Sequence, residues 1–549
     1  MSTGILGVGT SALLAYQQAM TTTGHNIANV NREGYSRQRV EFANMPPQNV
    51  GNGYIGSGVQ VEGIKRIFDS FVQTQLQTST SASGQSTVYY DYARRIDNLL
   101  ADADIGLAPG LQEFFAAVQD VANDPTSVSA RQVLLSEANA LADRFGFLQQ
   151  RLDEQRSVLN NQIGAYVDEI NALADSIATM NERIVDAQGR AGGAPPNDLL
   201  DVRDELILQL SGIVSVTTLA QEDGALNVFI GTGQNLVLGN QTAQLTAESL
   251  GADPDQNDIG LVLPGGAVID ITQIISGGTI GGLLDTRTNI LDPAQNMLGK
   301  VAVGLAEIFN TQHILGEDLD GNQGVEFFTV PQPHVLFNQD SISATGTPDV
   351  TITDVSALTA YDYELRFNGT DWALRRLPDR EQVGTVASGG TLNVDGLTID
   401  LSGVSGEAAG DSFVIRPTRG AAADIAVAIS DPRLVAAGGG GGPGDNTNAL
   451  ALAELREMRI LDNGTATIGG SYASLVADVG IRTRAAEVAN AAQERLLADA
   501  RAQREAISGV NLDEEAANLV RFQQAYQAAA QVISVAGTLF DTLLAAVRR

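Results

Sequence analysis

Six apolar residues near the C-terminus, Leu512, Leu519, Tyr526, Ile533, Phe540 and Val547, recur every seven positions, and Phe522, Ala529, Ala536 and Leu543 follow the middle four at a spacing of three. Such a sustained heptad seam predicts a helix running from Asn511 onward. Asn511 is placed to cap it, with Glu514 closing a capping box, and Asp513, Glu514 and Glu515 set negative charge at the positive end of the helix dipole. Within 516–544 only Arg521 and Asp541 are charged, less than a solitary surface helix carries. The N-terminus repeats the pattern over a shorter span, with Leu6, Leu13, Met20 and Ile27 spaced by seven until Gly34. Two packings fit: the terminal helices close on each other within one chain, or they pack among copies of the chain. The scarcity of charge favours the second.

A third heptad run joins Leu152, Leu159, Tyr166, Leu173 and Met180 with Ile163, Ile170, Ile177 and Ile184, which predicts a long helix inside a bundle. Residues 88–100, 111–121, 129–148 and 472–507 also carry helical periodicity, and Pro125 marks a break with a fresh start just after it. Strand patterns take over at 213–280, where Leu226–Ile230 and 236–238 flank a Gly-Thr-Gly turn. They return at 330–430, where 361–367 and 372–377 flank Asn368-Gly369, and 392–394 and 397–401 flank Asp395-Gly396. The run 438–444, mostly glycine, reads as a flexible connection back into the helical part.

The expected fold class is therefore α+β and multidomain, since 549 residues exceed one ordinary core, which stops growing near ~250 residues. Hydrophobic residues at 44% supply ample core material and argue against global disorder. A formal net charge of −32 excludes nucleic acid as a partner, because phosphate binding needs clustered Lys and Arg, and Lys65 and Lys300 are the only lysines. Zero cysteines exclude disulfides and thiolate chemistry. The first formally charged side chain is Arg32, so a cleaved signal peptide with its basic start is not expected. No apolar run reaches the ~20 residues of a membrane span, so no membrane insertion is expected either.

Catalytic patterns are missing. His25, His313 and His334 are scattered, without the spacing of a zinc-protease helix. Gly51, Gly53 and Gly56 match G-x-G-x-x-G, but they follow Pro46-Pro47 and precede a strand-like alternation instead of a helix, which reads as a loop. Asp318, Asp320 and Asn322 around Gly321 suggest a calcium loop lacking its bidentate Glu, or a plain turn, the reading we favour. Nothing here points to an enzyme, a cofactor or a metal.

His25-Asn26-Ile27-Ala28-Asn29-Val30-Asn31, followed by Gly34-Tyr35-Ser36-Arg37-Gln38, resembles the N-terminal signature of the flagellar rod, hook and hook-associated axial proteins. Residues 508–515, Asn518-Leu519 and Gln523-Gln524-Ala525-Tyr526 are similar to the C-terminal signature of the same family. Asn197-Asp198-Leu199-Leu200-Asp201, Arg203-Asp204 and the run 367–372 resemble its hook-associated members in particular.

The resemblance implies a layered subunit. Residues 1–55 with 508–549 would form an inner axial coiled coil, and 56–328 with 445–507 a mainly helical domain with a β-rich part at about 213–285. Residues 329–437 would form an inserted outer β domain, with 438–444 as linker. It further implies a structural protein outside the cell, at the junction between hook and filament, capping the hook and allowing filament assembly. The partners it implies are copies of itself in a ring or tier, the hook protein, a second hook-associated junction protein, and a chaperone on the C-terminal helix. Export would use the flagellar type III channel. The alternatives are the hook protein or the second junction protein, and then a secreted adhesin. The helical stretch 129–187 is longer than hook proteins carry, which favours a junction subunit.

The assembly residues expected at the N-terminus are Leu6, Leu13, Met20, Ile27, Asn26, Asn29, Asn31, Gly34, Tyr35, Arg37 and Gln38. At the C-terminus they are Asn511, Leu512, Glu514, Leu519, Phe522, Tyr526, Ile533, Phe540, Leu543 and Val547. Asn26, Asn29 and Asn31 either bond within a crowded helix wall or help to end the helix ahead of Gly34. Arg37 and Gln38 are expected to contact a neighbouring subunit or chain segment.

Overall fold

The computed structural model describes residues 2–49, 53–337 and 343–547. The chain opens with the helix Ser2–Ala28, then turns at Gly34 (φ +79°) into an antiparallel pair, Gln38–Asn44 with Val59–Arg66. Gly51 of the glycine triplet lies outside the described residues. Gly53 and Gly56 bracket the strand Tyr54–Ile55, which pairs with Gln48–Asn49 toward the tip of this hairpin.

Asp69 starts the next helix, Ser70–Leu100, by accepting from the N–H groups of Phe71 and Val72 at 2.9 and 3.3 Å. After Leu107–Asn123, Ser127 caps Val128–Arg190 by accepting from Ala130 N–H at 3.2 Å. That helix has 63 residues and so spans about 95 Å at 1.5 Å per residue. Along the heptad stretch its buried row runs through Leu152 and Leu159 and passes to Ile163, Ile170, Ile177 and Ile184, while Tyr166 and Leu173 are only partly buried. A straight helix drifts about 20° per heptad, so one apolar row leaves the core as the adjacent row enters it.

Three cores are found among the described residues. The first joins the helices Ser70–Leu100 and Leu107–Asn123 and the first part of the long helix to Asp292–His313, Thr447–Glu454 and the start of Ile468–Ser508. Phe114 sits at its centre, 5.2 Å from Phe309 and 5.7 Å from Phe328. The second packs the later part of the long helix and Asn197–Ile213 onto two small antiparallel sheets built from strands between Val216 and Asp270. The third is the interior of the β domain, around Tyr363, Trp372, Leu374, Phe413 and Ile415.

The β domain has a five-stranded antiparallel sheet in the order His334–Phe337, Ser412–Arg416, Asp362–Phe367, Asp371–Leu377, Gln382–Ala387, beside a three-stranded sheet of Asp349–Ile352, Leu397–Asp400 and Thr391–Val394. Asp395 (φ +50°) and Gly396 (φ +80°) form a two-residue turn with both central residues left-handed. At the other hairpin Asn368 Oδ1 accepts from the N–H groups of Thr370 and Asp371, both at 2.9 Å, and the loop is longer.

Two stretches differ from the sequence expectation. The helix Gly278–Thr286 continues through a π-helical turn, Arg287–Leu291, into Asp292–His313, overlapping the end of the stretch read as strand. Its glycines hid it. A Cβ on Gly282 would stand 2.5 Å from the Gln85 carbonyl oxygen, so glycine permits this helix to press against Ser70–Leu100. The run 438–444, expected to be flexible, is hydrogen-bonded: Asp445 Oδ2 accepts from Gly439 and Gly441 N–H at 2.7 and 2.9 Å, and Gly438 O accepts from Glu317 N–H at 2.8 Å.

Candidate functional site

The helices Ser2–Ala28 and Leu512–Val547 lie against each other, and small residues make the seam. Gly9, Ala15, Ala19, Thr22, Ala529 and Ala536 are buried, and a Cβ on Gly9 would meet Ile533 Cγ1 at 2.7 Å. Tyr526 and Ile533 are half-buried, as are Leu13, Met20 and Ile27, which lie on the shoulder of the seam. Phe522 joins Tyr16 and the hairpin residue Phe42 in an aromatic cluster with ring centroids 6.0 to 6.4 Å apart. Leu6, Leu512, Leu519, Phe540, Leu543 and Val547 are exposed, Val547 to 81%, as are Leu14, Val532, Val535, Leu539 and Leu544. By length and composition the stretch Ile468–Val547 contains a helical segment long and apolar enough to cross a membrane. In 516–544 that apolarity is spread among short side chains and two charges, which concealed it from a search for an unbroken run.

A polar knot fastens the inner ends of the two helices to the body. Asn26 is 1% exposed and uses its whole amide: Nδ2 donates to Gln38 O and Glu515 Oε2, both at 2.9 Å, while Oδ1 accepts from Gln38 N–H at 2.9 Å and the Tyr35 hydroxyl at 2.8 Å. The Tyr35 proton is thus committed to Asn26, so His25 Nδ1, 3.0 Å away, is the donor in its contact with that hydroxyl. Burial, with the nearby charges of Asp198, Asp201 and Glu515, raises the Tyr35 pKa and keeps the phenol neutral.

Arg37 bridges to the C-terminal helix. Its Nε donates to Glu515 Oε1 at 2.8 Å, and two further N–H groups reach the Glu514 carboxylate at 2.8 and 3.0 Å. Hydrogen bonding to Arg37 lowers the Glu514 pKa, and the same contact raises that of Arg37. Asn511 caps the helix, its Oδ1 accepting from Asp513 and Glu514 N–H at 2.9 and 3.3 Å. The expected capping box is not formed through Glu514, whose carboxylate is drawn to Arg37. Glu515, only 2% exposed, is a site residue that the sequence reading placed in the C-terminal motif and on the helix dipole but gave no contact.

The other half of the knot comes from the helix Asn197–Ile213. Gln38 Nε2 donates to Asp198 Oδ1 at 2.8 Å, Ser36 N–H to Asp201 Oδ2 at 2.9 Å, and Asn197 Nδ2 to Ile64 O at 2.8 Å. Arg66 ties Asp201 and Asp204 together at 3.0 and 2.6 Å. Burial raises the Asp204 pKa and Arg66 opposes it. Gly34 is buried where a Cβ would lie 2.9 Å from Glu205 Oε2, and its positive φ adds a second reason for glycine. Asn29 Nδ2 donates to His25 O at 2.9 Å and so closes the end of the first helix, whereas Asn31 is exposed. Asn26, Tyr35, Arg37, Gln38, Asn511 and Glu514 are therefore brought together, while the exposed heptad residues are left outside.

The turn at Asp318 is closed on itself. Its Oδ1 accepts from Asp320 and Asn322 N–H, both at 2.8 Å, and Asp320 is bound by Arg433. No group of three or more His, Cys, Asp or Glu able to hold a metal occurs among the described residues.

Comparisons with known proteins match this arrangement along the chain. Residues 93–328 match the family described as the flagellar hook-associated protein FlgK helical domain, and 337–417 the flagellar hook-associated protein 1 D2-like domain. Residues 502–546 match the flagellar basal body rod FlgEFG protein C-terminal family. The chain is 36% identical to flagellar hook-associated protein 1 of Salmonella typhimurium and 35% identical to that of Escherichia coli, in both cases over 97% of this chain and 98% of the relative. It is 26% identical to the Bacillus subtilis protein of the same name over 99% of this chain and 98% of that one. The solved structure of the flagellar hook junction protein FlgK from Burkholderia pseudomallei superposes with a TM-score of 0.73 at 25% identity, covering 79% of this chain and 100% of that chain. This chain belongs to the flagellar hook-associated protein 1 family.

Proposed function

We propose that the chain is a structural, non-catalytic subunit of the bacterial flagellum that sits at the hook-filament junction, caps the hook and allows the filament to be built on it. The observation that carries this reading is the division of the terminal helix pair into two faces. Small residues close the pair within one chain, and bulky apolar residues from Leu512 to Val547 face outward. Copies set side by side in a ring or tier would cover that outer face, giving an inner coiled-coil layer from 1–55 and 508–549. The helical domain of 56–328 and 445–507 would lie outside it, and the β domain of 329–437 outermost. Leu6, Leu519, Phe540, Leu543 and Val547 would then be contacts between copies, with the hook protein and a second junction protein meeting the two ends of the tier. The Asn26, Tyr35, Arg37 and Glu515 knot would fix the stagger and angle of the helix pair relative to the body.

Before assembly the same outer face needs cover, which suits a chaperone on the C-terminal helix during export through the flagellar type III channel. The test is electron microscopy of cells lacking this gene, together with an assay for flagellin in the medium. Bare hooks with shed flagellin are expected. Missing hooks would assign the chain to the hook itself, and normal filaments would sink the junction role.

A further inference from the structure

The β domain leaves and re-enters the helical body at neighbouring chain crossings, 329–334 and 417–421, an arrangement that by itself would make a hinge. Four arginines and four aspartates lie together at that place, six of them buried and Arg416 and Asp292 partly buried. Arg156 on the long helix binds Asp292, at the start of Asp292–His313, and Gln295 one turn on. Arg419, in the returning crossing, lies 3.2 Å from the same Asp292 oxygen and also binds Asp362, the first residue of a β-domain strand. Arg416, ending the strand Ser412–Arg416, binds Asp253 in a loop of the β-rich part of the body. Arg287, on the π-helical turn, donates to Asn257 O at 2.6 Å and lies 3.5 Å from Asp258. The π turn sets Arg287 and Asp292 five residues apart on one side of the helix, which an α-helical turn would not do.

This is costly chemistry for a joint. Arg156, Arg287, Asp253, Asp362 and Arg419 are all 9% exposed or less, and buried ion pairs bring little net stability over apolar residues of similar volume. Burial pushes Asp362 upward in pKa. It pushes Asp292 upward too, but Arg419 and Arg156 outweigh it and hold that carboxyl below the ordinary carboxylate range. What such a network does impose is geometry. The signs balance only while body, β-rich part and β domain keep one arrangement, and any swing strands a charge out of water.

A second contact lies apart from the crossings. Asp462, Asn463 and Gly464 are consecutive left-handed residues (φ +55°, +56° and +78°), and Asn463 N–H donates to Ser356 O of the β domain at 2.7 Å. Asp462 is bound by the buried Lys300 at 2.5 Å. Val355 packs on the helical core while Val303 and Ala421 belong to the core of the β domain, so the two interiors interlock.

We infer that the buried Arg-Asp network is an orientation lock, which holds the β domain at one angle to the helical body and lets load pass between them without a hinge. The inference concerns the single chain and stands independently of the junction reading. Because the chain has no cysteine, Ala140→Cys on the long helix and Ala408→Cys on a β-domain loop, both exposed, give a clean pair of dye sites in the full-length protein.

Single-molecule energy transfer on this labelled chain is expected to give one narrow distribution. Adding Arg419→Met should broaden it at least twofold or split it, with helical content by circular dichroism unchanged. If that variant is insoluble, the isosteric Asp362→Asn carries the same test. Arg376→Met, which breaks an exposed pair with Asp379, should leave the distribution as it was. A distribution that stays narrow and unshifted in Arg419→Met or Asp362→Asn, or that broadens equally in Arg376→Met, overturns the lock.

Discussion

Residues 1–55 and 508–549 hold six acidic and six basic side chains, while 56–507 hold 59 and 27, so the whole formal charge of −32 lies in the body and none in the terminal region. Burial divides the same way. The body buries its leucines, isoleucines and phenylalanines in three cores, whereas the terminal pair buries glycine, alanine and threonine and exposes its large apolar residues. A body of this kind is stable through its own packing and kept apart from its neighbours by charge. A terminal pair with a narrow seam gains little from its own closure and much from being covered by others.

The contrast can be broken most severely by removing one side of it. Deleting 512–549 is expected to abolish filament attachment in cells while the purified body keeps its cooperative thermal transition within a few degrees; a body that loses that transition would mean the two regions are one folding unit. Glu515→Ala comes next. It takes away one of the two carboxylates held by Arg37 and leaves one buried Asn26 amide proton without its acceptor, at about 3 kcal/mol, the upper end for an unsatisfied buried donor. Hydrogen exchange should show the loss in 2–28 and 512–547 and leave 128–190 protected.

His313 tests the body. Its Nδ1 donates to Val325 O at 2.6 Å, its Nε2 accepts from Ala436 N–H at 2.8 Å, and burial lowers its pKa to about 4. The unfolded chain, with a histidine pKa near 6.5, binds the extra proton between these values. The contribution is thus fully present above pH ~6.5 and is lost as pH falls toward 4, amounting to about 3 kcal/mol. Denaturant titrations at several pH values should show that slope in the native chain and a flatter one in His313→Gln. Gly9→Val should overpack the seam against Ile533 and cost about 1–3 kcal/mol of helix pairing, again visible as faster exchange in the two terminal helices alone. Smallest of all, Phe540→Gln should change monomer stability by less than about 0.5 kcal/mol yet weaken assembly on hooks; an equal loss in both would mean that the outer face is already covered within one chain.

Much of this architecture is legible in the sequence because long helices and hairpins announce themselves by period. Leu152 through Ile184, Leu512 through Ile533 and the Asp395-Gly396 turn all have local causes. What escaped has no local cause. The start of Ser70–Leu100 buries Gln77, Ser79, Ser81 and Ser83, and its partner at 277–282 is mostly glycine, so close approach of two backbones replaces the apolar period. At the site, Asn26, Tyr35, Arg37 and Gln38 stood out as a motif. Their partners Glu515, Asp198 and Asp201 lay in motifs of their own, but the pairing between the motifs, and Arg66 altogether, escaped, since contacts spanning 135 to 489 residues leave no spacing to read. The heptad spacing picks out Leu6 and Leu13, while the deepest positions of the seam within the chain on that helix, such as Ala15 and Ala19, are small residues that carry little weight in a hydrophobic scan.

The outward face of the helix Leu512–Val547 gives the single molecule the layout of a surfactant, a strongly anionic head on a sparsely charged greasy tail about 54 Å long. Surfactants have a ceiling on the concentration of free monomer, above which tails find one another without regard to the proper target. For a chain built this way, the quantity that needs metering is the size of the unassembled pool.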